Sequence, residues 1–147
     1  MGIREEMPLL ARHEGEWHGT YTYVDTDSKV TDHHESIVTC AFPTEGKFPY
    51  FQTNRYKWED GREQFIEFPA SYSDRKIHFD TDRLKGYAWE VDDRTIVLTW
   101  TYRSNPGEYL YEMIQLDDSG TNRTRTWHWF RDGVCYQRTL INERKVS

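Results

Sequence analysis

Cysteine is scarce in this chain. The two present, Cys40 and Cys135, stand far apart, with no CxxC pair. They read as two free thiols in a reduced, cytoplasmic protein rather than as a disulfide framework. Glycine-rich phosphate loops are missing too: there is no Walker loop, no GxGxxG and no GxSxG. That counts against nucleotide-dependent and serine-hydrolase chemistry. No apolar run approaches the roughly 18–20 residues of a membrane helix. The opening Met1-Gly2-Ile3-Arg4-Glu5-Glu6 has no apolar segment of a signal peptide, and Glu6 stands where myristoylation needs Ser or Thr. Positive charge is in deficit, with 19 Lys and Arg against 25 Asp and Glu and a net charge of −6. A nucleic-acid binder or a polybasic membrane-surface protein shows the opposite balance, so neither partner is expected.

Aliphatic residues are also few, seven each of Leu, Ile and Val. What replaces them is aromatic: 6 Trp, 10 Tyr and 7 Phe in 147 residues. Each buried ring removes on the order of 150–250 Å² from water. The chain therefore reads as a folded domain whose core or cavity is built from rings.

A single domain over residues 1–147 is expected, since no linker or composition shift interrupts the chain. Ile3, Met7 and Leu10 recur at helical spacing and predict one short helix from about Ile3 to His13, stopped near Gly15. The period then changes to two, and strands run from about 15 to 142. Turn signals recur at Asp25–Lys29, Pro43–Gly46, Asp60-Gly61, Ser73-Asp74, Thr81–Arg83, Asp92-Asp93, Asn105–Gly107, Asp117–Gly120 and Asp132-Gly133. Nine turns imply about ten strands. Asp60-Gly61 and Asp132-Gly133 read as two-residue hairpins, pairing Glu59 with Arg62 and Arg131 with Val134. Ten consecutive antiparallel strands favour closure into an up-and-down β-barrel, which leaves no exposed edge; a β-sandwich is the alternative. A barrel this wide is expected to hold a small ligand.

The first strand opens Gly15-Glu16-Trp17-His18-Gly19-Thr20-Tyr21. This resembles the Gly-x-Trp signature of lipocalins and related calycins. The resemblance implies that Trp17 plugs the closed end of the barrel after a short N-terminal helix, and that Arg138, near the end of the last strand, packs over it. The lack of a signal peptide and of lipocalin disulfides makes the chain more similar to compact bacterial calycin-like barrels. Those include fatty-acid-binding-like proteins, chromophore lyases of light-harvesting proteins and uncharacterised families, one of which this chain is expected to be. Tyr21-Thr22-Tyr23 also resembles the Tyr-x-Tyr pair with which phenolic acid decarboxylases hold a carboxylate; ordinary barrel packing is the plainer reading.

With Trp17 inward, Gly19, Tyr21 and Tyr23 follow on the same face. Alternation then offers Gln52, Asn54, Tyr56, Glu67, Glu112 and His128 as interior polar groups, with Trp89, Trp100 and Tyr111 as wall rings. A buried carboxylate is costly unless paired, so Glu112 is either ion-paired with an Arg of the neighbouring strand or a catalytic acid or base. Glu112, His128 and Tyr21 are the catalytic candidates, with Glu112 and His128 as an acid/base pair across adjacent strands. Tyr23, Gln52, Tyr56, Glu67, Trp89, Trp100 and Tyr111 are the ligand-binding candidates. His33 and His34 point to opposite faces and cannot easily share an ion, so no metal and no cofactor are expected. The expected function is binding of a small hydrophobic or aromatic molecule in the cavity. The alternative is a cofactor-independent lyase, isomerase, cyclase or decarboxylase using the same cavity. An outer face formed by Trp127 and Trp129 would favour a homodimer.

Overall fold

In the computed structural model, which describes residues 2–147, ten antiparallel strands close into one barrel. They are β1 (Gly15–Asp25), β2 (Val30–Ala41), β3 (Tyr50–Lys57), β4 (Glu63–Ser73), β5 (Lys76–Asp80), β6 (Leu84–Glu90), β7 (Thr95–Tyr102), β8 (Asn105–Leu116), β9 (Asn122–Arg131) and β10 (Val134–Lys145). Each strand pairs with its sequence neighbours, and β1 pairs with β10 to close the sheet. Closure satisfies the backbone groups that an open edge would expose. Among the described residues, no helix is long and apolar enough to cross a membrane.

The expected single helix is two short ones, α1 (Ile3–Glu6) and α2 (Pro8–Ala11). Pro8 is the reason. The residue before a proline is pushed out of the α region, and Met7 sits at φ −126°, ψ 67°. Pro8 then starts α2 at a position that needs no N–H bond. The segment caps one end of the barrel. Met7, Leu9 and Leu10 are buried in the core, and the Leu10 N–H donates to Glu90 Oε2 at 2.8 Å. The opposite end is the mouth, where the β3–β4 and β9–β10 hairpins turn.

Of the two short hairpins, one has the expected register and one does not. Arg131 pairs with Val134 across Asp132-Gly133, both with positive φ. The β3–β4 turn is one residue longer. Lys57 pairs with Glu63, the Trp58 N–H donates to the Arg62 carbonyl at 3.0 Å, and Gly61 takes φ +93°. This is the longer loop in which glycine occupies the left-handed position. The slip of one residue turns every side chain of β4 to the other face. The turn expected at Asn105–Gly107 instead lies at Arg103-Ser104, and Asn105 already belongs to β8.

Candidate functional site

The interior holds a buried charge cluster at its centre. On β9, Arg123, Arg125, Trp127 and Trp129 alternate inward, facing Glu143 and Thr139 of β10 and Glu112 of β8. Arg123 Nε donates to Glu143 Oε1 at 2.6 Å, and Arg125 Nε donates to the same oxygen at 2.9 Å. Arg125 Nη1 donates to Glu112 Oε2 at 2.8 Å, and its Nη2 donates to the Tyr21 hydroxyl. Two guanidiniums and two carboxylates thus compensate one another away from water, the condition under which buried charges are tolerated.

The two carboxyls are driven apart. Burial works to raise Glu143, but Arg123 and Arg125 outweigh it and hold the group at about 2. Glu112 has Arg125 alone in contact, and there burial prevails and raises the carboxyl above its ordinary range. Environments that separate two acids in this way also separate their roles: Glu143 is the fixed counter-ion, and Glu112 is the carboxyl that takes up a proton more readily. Burial also raises the Tyr21 phenol well above its usual value, so it stays protonated.

An amide ladder on β3 continues the cluster. The Tyr50 hydroxyl donates to Gln52 Oε1 at 2.8 Å, Gln52 Nε2 donates to Asn54 Oδ1 at 2.9 Å, and Asn54 Nδ2 donates to the Tyr56 hydroxyl at 2.7 Å. Between ladder and cluster lies a cavity of about 30 Å³ whose wall includes Gln52, Asn54, Trp100, Glu112, Arg125 and Trp127. That space holds one or two waters. Large rings fill most of the ten-strand interior.

The cavity wall carries unmatched donors. Trp100 Nε1 and Trp127 Nε1 are buried without a hydrogen-bond partner; the former stands beside the Tyr102 hydroxyl and the latter beside the Glu112 carboxyl, neither at bonding geometry. His13 also lines the cavity. Its Nδ1 accepts from Arg123 Nη1 at 3.1 Å. Since burial keeps the ring neutral, Nε2 carries the hydrogen, and it too has no partner. Each such donor costs about 1–3 kcal/mol unless something accepts from it. At the mouth, Tyr23, Trp58, Tyr102 and Trp129 are half-buried, and Tyr102 stacks parallel on Trp129 with centroids 5.9 Å apart.

Of the residues singled out in the sequence, Trp17, Tyr21, Tyr23, Gln52, Tyr56, Trp100 and Glu112 point inward. Five do not. Glu67 lies on the outer face because of the β3–β4 slip. Trp89 lies between the inward positions Ala88 and Glu90 and packs outside on Tyr87. Tyr111 and His128 pair with each other across β8 and β9, on the opposite face from the pair Glu112 and Trp127. The proposed Glu112–His128 acid/base unit is therefore absent: the two side chains leave the sheet in opposite directions. Arg138 is exposed, because a bulge between Cys135 and Gln137 shifts β10 and pairs Arg138 with His128. The guanidinium over Trp17 is that of Arg123, 4.5 Å from the ring centroid. Trp127 and Trp129 face inward, which removes the reason given for a dimer. Cys40 and Cys135 are both free.

Arg123, Arg125 and Glu143 were not singled out from the sequence. Their signal was the alternation Arg123-x-Arg125-x-Trp127-x-Trp129, masked because the β10 bulge moves Glu143 into register with Arg123. This exchange of roles is testable by urea unfolding. Arg138→Ala should leave stability unchanged within about 0.5 kcal/mol. Arg123→Ala should cost about 3–5 kcal/mol by leaving Glu143 undercompensated.

No curated protein matches the sequence. The fold is similar to a DUF3598-family protein of unknown function from Nostoc punctiforme, with TM-score 0.74 and 18% identity, covering 93% of this chain and 49% of that one. The chain thus spans about half the length of that relative. It is also similar to the S-type phycobiliprotein lyase CPES from Guillardia theta, with TM-score 0.74 and 14% identity over 100% of this chain and 94% of that one. At these identities the likeness is one of fold. Residues 5–147 match the family described as Domain of unknown function (DUF3598), N-terminal, and the chain belongs to that family.

Proposed function

We propose that this domain is a calycin-like, cytoplasmic barrel that binds a small, flat aromatic molecule bearing a hydrogen-bond acceptor. The observation that carries the reading is the set of unmatched donors on one cavity, the indole N–H groups of Trp100 and Trp127 and Nε2–H of His13. A carbonyl or ether oxygen placed there accepts from these donors, while the surrounding rings supply stacking and edge contacts. The ligand enters from the mouth by parting the half-buried rings of Tyr23, Trp58, Tyr102 and Trp129, since the free space inside is smaller than any ring.

The experiment is a tryptophan-fluorescence titration with 2-acetylnaphthalene against naphthalene, beside native mass spectrometry of protein purified from its source. Tighter binding of the acceptor-bearing ring by about fivefold is expected, falling to parity in Trp100→Phe/Trp127→Phe, because one hydrogen bond is worth about 1 kcal/mol. Binding of neither compound, with no co-purified molecule, would overturn the reading.

Glu112 favours a second reading, a cofactor-independent enzyme that transfers protons to or from the bound ring. A buried carboxyl raised by burial at the cavity wall is suited to that task. Recovery of a co-purified molecule chemically unchanged after prolonged incubation with the protein speaks for carriage; conversion lost in Glu112→Gln speaks for catalysis.

A further inference from the structure

The wall formed by β2 carries a buried pair that the donor-lined cavity does not use. Asp32, His34 and Ser36 share the inward face of that strand. The Trp58 indole N–H donates to both oxygens of Asp32, at 2.9 and 3.2 Å, so that carboxylate serves as an acceptor. His34 Nδ1 lies 2.9 Å from Asp32 Oδ2. Between an accepting carboxylate and an imidazole nitrogen, the imidazole donates, so the Nδ1 of His34 carries the hydrogen. Burial lowers the ring's proton affinity, against the pull of Asp32, and keeps it neutral. Nε2 is then a bare lone pair.

That lone pair is buried and has no partner, and neither has Ser36 Oγ. His34 is only 4% exposed. Around it stand Tyr21, stacked at 5.2 Å, Tyr56 edge-on at 5.0 Å, Tyr23 at 5.9 Å and Trp58 at 4.3 Å. Arg62, 4.9 Å from the Trp58 ring, is the guanidinium on this side of the mouth. A basic nitrogen held in one tautomer by a carboxylate, enclosed by rings and left without a donor, is matched by an aromatic hydroxyl. A hydrocarbon ring offers nothing to it.

We propose that His34 Nε2 accepts the hydrogen bond of a phenolic hydroxyl, and hence that the ligand class of this barrel is the hydroxyaromatics. The inference rests on the binding reading above and narrows it. One end of the ligand donates to His34, and the other end accepts from the interior indoles. Asp32 is a positioning residue, acting only through the tautomer it imposes on His34.

The test uses two neutral rings of nearly equal shape, 2-naphthol and 2-methoxynaphthalene, titrated at pH 7 into the full chain. Wild type should bind 2-naphthol about fivefold more tightly, the ordinary worth of one buried hydrogen bond. His34→Phe should bring the ratio of the two affinities to one, and Asp32→Asn should reduce the preference while keeping His34. Nitrogen-15 NMR of the wild type supplies a readout independent of folding in the variants. Nε2 of His34 should be unprotonated in the free protein and shift on addition of 2-naphthol alone. Equal affinity for the two naphthalenes, a proton on Nε2, or an Nε2 signal unmoved by 2-naphthol overturns the inference and leaves the binding reading standing. Failure of both naphthalenes to bind overturns the binding reading, and this inference with it.

Discussion

Glu143→Gln should lower stability at neutral pH by about 3–5 kcal/mol, the loss seen when one partner of a buried ion pair is removed. Glu143 is 5% exposed and accepts from both Arg123 and Arg125, so the variant leaves two guanidiniums facing the single carboxylate of Glu112. Against a total of about 5–15 kcal/mol for a domain, the change is large. The same contacts predict an acid response. The folded-state value of Glu143 is about 2, below its ordinary value near 4.5. Its contribution is complete above about pH 4.5 and is lost as pH falls toward 2. The difference corresponds to something on the order of 3 kcal/mol. Glu112 acts in the opposite sense: its raised carboxyl means that falling pH first relieves a buried charge. Wild type should therefore hold its urea midpoint into mild acid and lose it steeply below about pH 4, whereas Glu143→Gln should be weak throughout and lack the steep arm. A loss below 1 kcal/mol at neutral pH would mean that the cluster is hydrated rather than buried.

Trp100 should separate the worth of a ring from the cost of its N–H. The indole stacks on Phe68, 5.5 Å away and 9° from parallel, and meets Phe79 edge-on at 5.6 Å. Trp100→Ala removes one of the two indoles of the cavity wall and should cost about 3–5 kcal/mol, as large-to-small core changes do. Trp100→Phe keeps the stacking surface and deletes the unmatched donor, so it should cost less than about 1.5 kcal/mol. The enlarged space in Trp100→Ala should take free indole, which raises its melting temperature by mass action and leaves wild type unmoved. A Phe variant as damaged as the Ala variant would show that the Trp100 N–H has a partner after all. That result would also weaken the acceptor-bearing ligand proposed for the cavity.

The outer face of β8 and β9 bears a second aromatic cluster, with Tyr109 stacked on Phe130 at 5.2 Å and Tyr111 edge-on to both. These rings form an exposed surface feature, separate from the interior. Their presence explains why ring count alone misassigned Tyr111 to the wall: both faces of the sheet are aromatic, so composition carries no sidedness there.

Sidedness is also where sequence and structure part company. The sequence by itself determined the class of the protein: alternation after Gly15, nine turns, a shortage of aliphatics made good by rings, and a Gly-x-Trp opening lead to a ten-strand closed barrel with Trp17, Tyr21 and Glu112 inside. These follow from period and turn chemistry, which are local. Register is different. Two one-residue events, the longer loop at Gly61 and the bulge at Cys135, reversed the faces of β4 and of Arg138. A period of exactly two makes each such event flip a whole strand. Only the closed sheet decided that Arg123 and Arg125 meet Glu143 and Glu112, that Arg123 rather than Arg138 covers Trp17, and that the Trp58 indole donates to Asp32. Those contacts join positions distant in the chain. They are fixed by which strands lie side by side and by the need to compensate every charge that the barrel takes out of water.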